Sequence, residues 1–348
     1  MVVNRWMKEL GKMDGAVNPE YDPFAEGNVM HSPSPSLNYI FGKGGGIPYG
    51  YTAILYGPPK AGKSLLSNLF VGEMHRENPE YMAIKFNTEM REEGQMADYW
   101  GIDQDRYQAY NVNEPEKVFD RIHDEFLPML EAGMPLKLII IDSLQGLQGM
   151  REAHAESITD HQIGDHAMVI QKGLKRILPT LRKHKVALIC TAHIRANQDA
   201  GKYGPKEKMA GGFAQKHFFE YFVEVKRDGS SESKADLLGE KFEGEVKDFR
   251  DNKEKTAHKI YVRMEDSSLG KGTGRSGEFT LSYEKGLINT HEEIFLLATN
   301  LKLVERPNNR TYVYDDVKYN SKEEFLTAIR DNEKIAKGIM KLVHDRDL

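Results

Sequence analysis

The chain has 348 residues, room for one large domain plus a small one, and its 39% hydrophobic content is enough for a packed core without disulfide staples. The net charge of −5 excludes binding to nucleic acid through an overall basic field, and the single cysteine, Cys190, excludes an intramolecular disulfide and any Cys-cluster metal site. No run of ~18 apolar residues and no signal-peptide pattern is present, so the expectation is a soluble, intracellular, cytoplasmic protein.

Residues 1–35 read as a leader: an amphipathic helix over 4–13, then a Pro/Asn/Gly/Ser stretch that holds no core element of its own. From Leu37 the apolar pattern becomes dense. Residues 51–56 read as a buried strand running through a Gly-rich turn into a helix with Leu65, Leu66, Leu69 and Phe70 on one face. Residues 82–86 form a second strand. A helix follows over 115–131, kinked or ended by Pro128. Residues 136–141 are apolar enough for the centre of a parallel sheet. A helix over 168–181 and a strand over 186–191 complete an alternation that predicts an α/β fold, a mainly parallel sheet with helices on both faces.

After Phe218 the strands 221–226, 259–264 and 278–283 follow without helices, which predicts an antiparallel extension; the densely charged run 228–256 reads as a solvated excursion. From Leu287 a small α+β unit is expected. It holds a helix over 292–301, a strand over 312–314 and two helices within 321–344, the first opened by a Ser321/Glu324 capping box. The boundaries are thus 1–35, 36–286 and 287–348.

The chemistry concentrates at Gly57-Pro-Pro-Lys-Ala-Gly-Lys-Ser64, a complete phosphate-loop motif placed after a strand and opening a helix. Gly57, Pro58, Pro59, Lys60, Ala61 and Gly62 shape a turn whose backbone N–H groups face the phosphates of a nucleotide, and the helix N-terminus adds its positive end. Lys63 reaches the β/γ phosphates, and the Ser64 hydroxyl ligates magnesium. Asp142, at the tip of the 136–141 strand, is placed to hold the same ion. Glu89 follows the second strand at the sheet's carboxyl edge, where a group that orients attacking water belongs; position alone does not separate it from a solvated glutamate. His154, His161 and His166 lack metal-motif spacing, and Cys190 reads as a packing residue.

The phosphate loop, the Glu89 strand end, the strand ending in Asp142-Ser143 and the strand leading into Thr191-Ala-His-Ile-Arg195 together resemble the RecA family, and within it the UvsX-type recombinases of tailed phages more than bacterial RecA. The resemblance extends to Ile163-Gly-Asp165, to Gly211-Gly212 with Lys216 and 221–227, and to Arg310-Thr-Tyr-Val-Tyr314 and 331–338 of a small C-terminal domain. It implies a RecA-like ATPase core with an N-terminal oligomerisation segment. It makes Lys63 and Glu89 catalytic, and His193 the γ-phosphate sensor. It also implies DNA-binding loops near 148–163 and 194–212, with Arg151, Met168 and Lys172 in or beside the first and Arg195, Lys202, Tyr203, Lys206 and Lys208 in the second. The second stretch is aperiodic and basic with one aromatic, which suits a loop that tracks a phosphate backbone. Lys216 and either Lys271 or Arg275 would serve the neighbouring subunit's ATP.

The function implied is an ATP- and magnesium-dependent strand-exchange recombinase. It would form a helical filament on single-stranded DNA and pair it with homologous duplex, helped by mediator or single-strand-binding proteins. Val29, Met30, Leu37 and Ile40 are the expected contacts to the next protomer. Two other readings share the core: a hexameric helicase-like translocase, and an ATP-binding scaffold filament without useful catalysis.

Overall fold

Among the described residues, ten strands assemble, in the computed structural model of the chain, into one sheet, and Val29–Met30 and Ile47–Pro48 pair apart from it. The structure describes residues 9–13, 20–90, 100–147, 165–196, 207–209, 217–227, 257–269, 272–282 and 286–346. The strands are β1 (Val29–Met30), β2 (Ile47–Pro48), β3 (Thr52–Gly57), β4 (Met82–Asn87), β5 (Tyr107–Asn111), β6 (Leu136–Asp142), β7 (Ala187–Ala196), β8 (Glu207–Met209), β9 (Tyr221–Arg227), β10 (Ala257–Ser267), β11 (Ser276–Ser282) and β12 (Gly286–Ile288). The order across the main sheet is β12-β11-β10-β9-β3-β7-β6-β4-β5, with β8 on the end of β7. From β9 to β5 all neighbours are parallel, and β9 through β12 pair antiparallel, as the helix-free stretch predicts.

Helix α1 spans Pro35–Ile40 and α2 spans Lys63–Glu77; α2 sets Leu66, Leu69 and Phe70 against Leu55, Ile140 and Ile189 on one face of the sheet. The other face, with Ile54, Ile139 and Leu188, is covered by Val118 and Ile122 and by Ile170, Leu174 and Ile177 of α5, Asp165–Lys183. Sheets covered on both faces favour apolar side chains on both sides of a strand, which explains the Leu138–Ile141 run in β6.

The helix over 115–131 does not end at Pro128. It runs as α3 (Pro115–Asp120), a π-helical segment (Arg121–Phe126) and α4 (Leu127–Glu131). Proline has no N–H for the carbonyl four residues back, and a wider turn just ahead of it absorbs the mismatch. β5 is an edge strand on β4 that no sequence pattern announces.

The four apolar residues expected to meet the next protomer lie in the core instead. Val29 and Met30 pair with Ile47 and Pro48, and Val29, Met30, Leu37 and Ile40 are at most 4% exposed within their own chain. They are core residues here rather than free contacts for a neighbouring protomer. Of the helix expected over 4–13, only 9–13 lie among the described residues.

The C-terminal part builds its own apolar cluster. Helix α6 (Thr290–Asn300), the hairpin β13 (Tyr312–Tyr314) and β14 (Val317–Tyr319), α7 (Lys322–Asp331) and α8 (Glu333–Asp345) close around Phe325, whose ring meets Phe295, Tyr312, Tyr314 and Tyr319. The two hairpin turn residues, Asp315 and Asp316, both have positive φ, as a type I′ turn demands. Ser321 Oγ accepts from the Glu324 N–H at 3.0 Å, while the Glu324 carboxylate takes the Asn320 N–H, one residue earlier than in an ideal capping box.

Glu293 of α6 is buried against the start of α1. Its Oε2 accepts from Ser34 Oγ at 2.5 Å and from the Ser36 N–H at 2.9 Å. Burial pushes its pKa up to about 8 despite these donors, which pull it down. The folded value thus lies above that of unfolded glutamate. The group's contribution to stability is complete below the unfolded value and is lost as pH rises through about 8. Melting temperatures should therefore fall by several degrees between about pH 6 and about pH 9, and Glu293→Gln, which keeps the acceptor without the charge, should flatten that slope. An equal slope in the variant would place the pH dependence elsewhere.

Candidate nucleotide site and DNA-loop stem

The phosphate loop leaves β3 and enters α2 between two positions of positive φ, Lys60 (61°) and Gly62 (97°). Its first residue must be glycine, because a Cβ at Gly57 would lie 2.0 Å from the Val225 carbonyl oxygen of the adjoining β9. Lys63 is buried. Its ammonium donates to the carbonyl oxygens of Gly57 (3.1 Å) and Pro58 (2.8 Å) and lies 3.4 Å from His193 Nδ1. Burial lowers its pKa to about 8, opposed by the charges of Asp142 and Glu89.

Asp142 ends β6, and its Oδ1 accepts from Thr191 Oγ1 of β7 at 2.5 Å. Its Oδ2 lies 3.4 Å from the ammonium of Lys85, a buried residue of β4 that also donates to Asn68 Oδ1 of α2 at 3.3 Å. Thr88 ties the ends of β4 and β6 together. Its N–H donates to the Asp142 carbonyl (2.8 Å), its hydroxyl to the Ser143 carbonyl (2.6 Å), and Ser143 N–H to its hydroxyl oxygen (2.8 Å).

That tie carries Glu89 to the cavity. Glu89 Oε1 is 3.0 Å from His193 Nε2 and accepts from Ser143 Oγ at 3.3 Å. A carboxylate accepts and an ammonium donates, so these contacts assign the hydrogen of His193 to Nε2 and present its Nδ1 lone pair to Lys63. The backbone N–H of His193 donates to Gln145 Oε1 at 2.9 Å.

These groups surround one cavity of about 920 Å³, lined by Pro59 through Leu65, Thr88, Glu89, Asp142, Thr191, His193 and Arg227, among others. Ser64 and Asp142 offer it oxygen donors only, a set that suits a hard divalent ion such as magnesium, which keeps several waters and shares phosphate oxygens. Among the described residues no group of three or more His, Cys, Asp or Glu could hold a metal ion by itself.

The second loop has a structured stem. β8 pairs antiparallel with the end of β7, matching Ile194 with Met209, Arg195 with Lys208 and Ala196 with Glu207. Lys208, expected within an aperiodic stretch, therefore lies on a short strand, and the stem starts one residue beyond His193. Met168 and Lys172 are exposed on α5. Arg151, Lys202, Tyr203, Lys206, Lys216 and Lys271 lie outside the described residues, as do His154, His161 and the 228–256 run; of His166 only the helical backbone is described. Arg275, expected to reach a neighbouring subunit, donates to the Tyr39 carbonyl oxygen at 3.1 Å and lies over the Tyr39 ring of its own chain. Cys190 is fully buried and its thiol is pushed up by burial, in keeping with a packing role.

Sequence reasoning missed Lys85, Thr88, Gln145 and Arg227. Lys85 carried a signal: a lysine between Ile84 and Phe86 in a buried strand must find a partner inside.

The RecA N-terminal domain family matches residues 9–263. Among characterised relatives, the protein RecA of Malacoplasma penetrans is 23% identical over 339 residues, 97% of this chain and 94% of that protein. The protein RecA of Mesomycoplasma hyopneumoniae (strain J) is 24% identical over 94% of this chain and 93% of its own. That of Fusobacterium nucleatum is 27% identical over 72% of this chain, a match that spans 63% of that protein's length.

Proposed function

The chain belongs to the RecA family, and from that premise we propose that it is an ATP-dependent recombinase that polymerises on single-stranded DNA and exchanges strands with homologous duplex. The observation that carries the reading is the contact of Glu89 with His193, one residue before the stem of the expected DNA loop, in the cavity that holds Lys63 and Asp142. Histidine at this position supports the finer reading of a phage UvsX-type recombinase, working in the host cytoplasm with mediator or single-strand-binding proteins.

In this reading the loop amides and Lys63 bind the triphosphate, and Ser64 and Asp142 hold magnesium. The ion would neutralise charge on the phosphates as the γ-phosphoryl bond breaks. Glu89 orients the attacking water. When the γ-phosphate draws Lys63 away, His193 loses a partner on Nδ1 while keeping Glu89 on Nε2, and β7 carries the change to the loop stem. A ring translocase would share every one of these groups. Negative-stain images with single-stranded DNA and a slowly hydrolysed ATP analogue separate the two: an open helical filament supports the recombinase and a closed hexamer the translocase.

With a net charge of −5, DNA contact must come from local cations. A Lys202/Lys206/Lys208→Ala triple variant should flatten the log–log salt dependence of single-strand binding by roughly 0.7 for each phosphate no longer neutralised, whatever the DNA sequence. Tyr203→Ala should weaken binding by about 1–3 kcal/mol of stacking with the slope unchanged. Oligonucleotide titrations across a salt series measure both. A triple variant with wild-type affinity and slope would remove this loop from the DNA site.

A further inference from the structure

Lys85 stands where an ammonium is costly. It is 1% exposed in the middle of β4, between Ile84 and Phe86. In the β4–β6 pairing Asn87 lies opposite Asp142, so Lys85 sits two residues back on the same face, and its side chain runs along the sheet to the end of β6. There its ammonium is 3.4 Å from Asp142 Oδ2, with Asn68 steadying it from α2, while Thr191 holds Oδ1 from β7. Asp142 is thus gripped at both oxygens, from two neighbouring strands.

We infer that Lys85 is a positioning residue for the magnesium carboxylate: it fixes and neutralises Asp142, so that the site accepts a divalent cation only together with the phosphates of a nucleotide. The inference rests on the magnesium role of Asp142 proposed above. The charges around the cavity explain the consequence. Lys60, Lys63 and Arg227 line the cavity beside Asp142 and Glu89, and Lys85 stands behind Asp142, so a free divalent ion meets no net negative charge. The triphosphate supplies that charge. In a buried setting a single added cation a few ångströms from the metal changes its affinity greatly. The fixed carboxylate also needs no rearrangement when the nucleotide–metal complex enters.

The test uses the full-length protein and two probes: Mn2+ binding without nucleotide, read by electron paramagnetic resonance, and the Mg2+ dependence of binding of a fluorescent, non-hydrolysed ATP analogue. Wild type should show no saturable Mn2+ binding below the millimolar range without nucleotide. Lys85→Gln, which keeps a hydrogen-bond donor but no charge, should bind Mn2+ at least ~10-fold more tightly and need less Mg2+ for the analogue. Lys85→Arg should behave as wild type. Adding Asp142→Asn to Lys85→Gln should erase the gain. An unchanged Mn2+ affinity in Lys85→Gln overturns the inference. Tight Mn2+ binding by nucleotide-free wild type overturns it equally, and that measurement stands even where a variant does not fold. If Asp142→Asn alone leaves the Mg2+ dependence of analogue binding untouched, the magnesium reading of Asp142 fails first.

Discussion

Lys63→Ala should abolish ATP turnover and, with it, stable assembly on single-stranded DNA. The Lys63 ammonium rests on the carbonyls of Gly57 and Pro58 in the phosphate loop and beside His193 of β7. A triphosphate offers it better partners, and its burial in a water-poor site makes each charged hydrogen bond count for more. Loss of one such group costs on the order of 10²–10³-fold in turnover, and the weaker hold on the phosphates adds to that. ATPase activity near wild type in this variant would sink the phosphate-loop assignment.

Glu89→Gln should separate binding from turnover. Glutamine keeps the oxygen that receives His193 Nε2 and Ser143 Oγ, so the geometry survives. It cannot draw a proton from water. Nucleotide and DNA binding should persist while hydrolysis falls by at least ~10²-fold. Filaments formed with ATP should therefore outlast those of wild type, the opposite of the Lys63→Ala result. Equal turnover in single-cycle measurements would mean that another group orients the water. It would also leave the scaffold reading in place, since a scaffold has no need of Glu89.

The parts of the site written as contiguous motifs were legible from residues alone. The phosphate loop lies between a strand and a helix as read, and β6 ends at Asp142. The parts that depend on partners distant in sequence were not legible. Lys85 reaches Asp142 across 57 positions of chain, and nothing in the run 82–86 names that partner. β1 and β2 are two-residue strands in a Pro- and Gly-rich context, below any periodicity, and their burial comes from what packs over them. β5 alternates polar and apolar residues weakly because it is an edge strand, half-exposed along most of its length. The β8 stem likewise follows from tertiary pairing rather than local preference.

The central claim is strand exchange itself, and one measurement addresses it directly. A labelled duplex is mixed with a homologous single strand, ATP, magnesium and the protein, and release of the displaced strand is followed over time. The account predicts ATP-dependent release with homologous but not heterologous single strands, and none with Lys63→Ala. ATP hydrolysis stimulated by DNA with no transfer to the homologous strand, or release regardless of homology, would contradict it and favour a translocase.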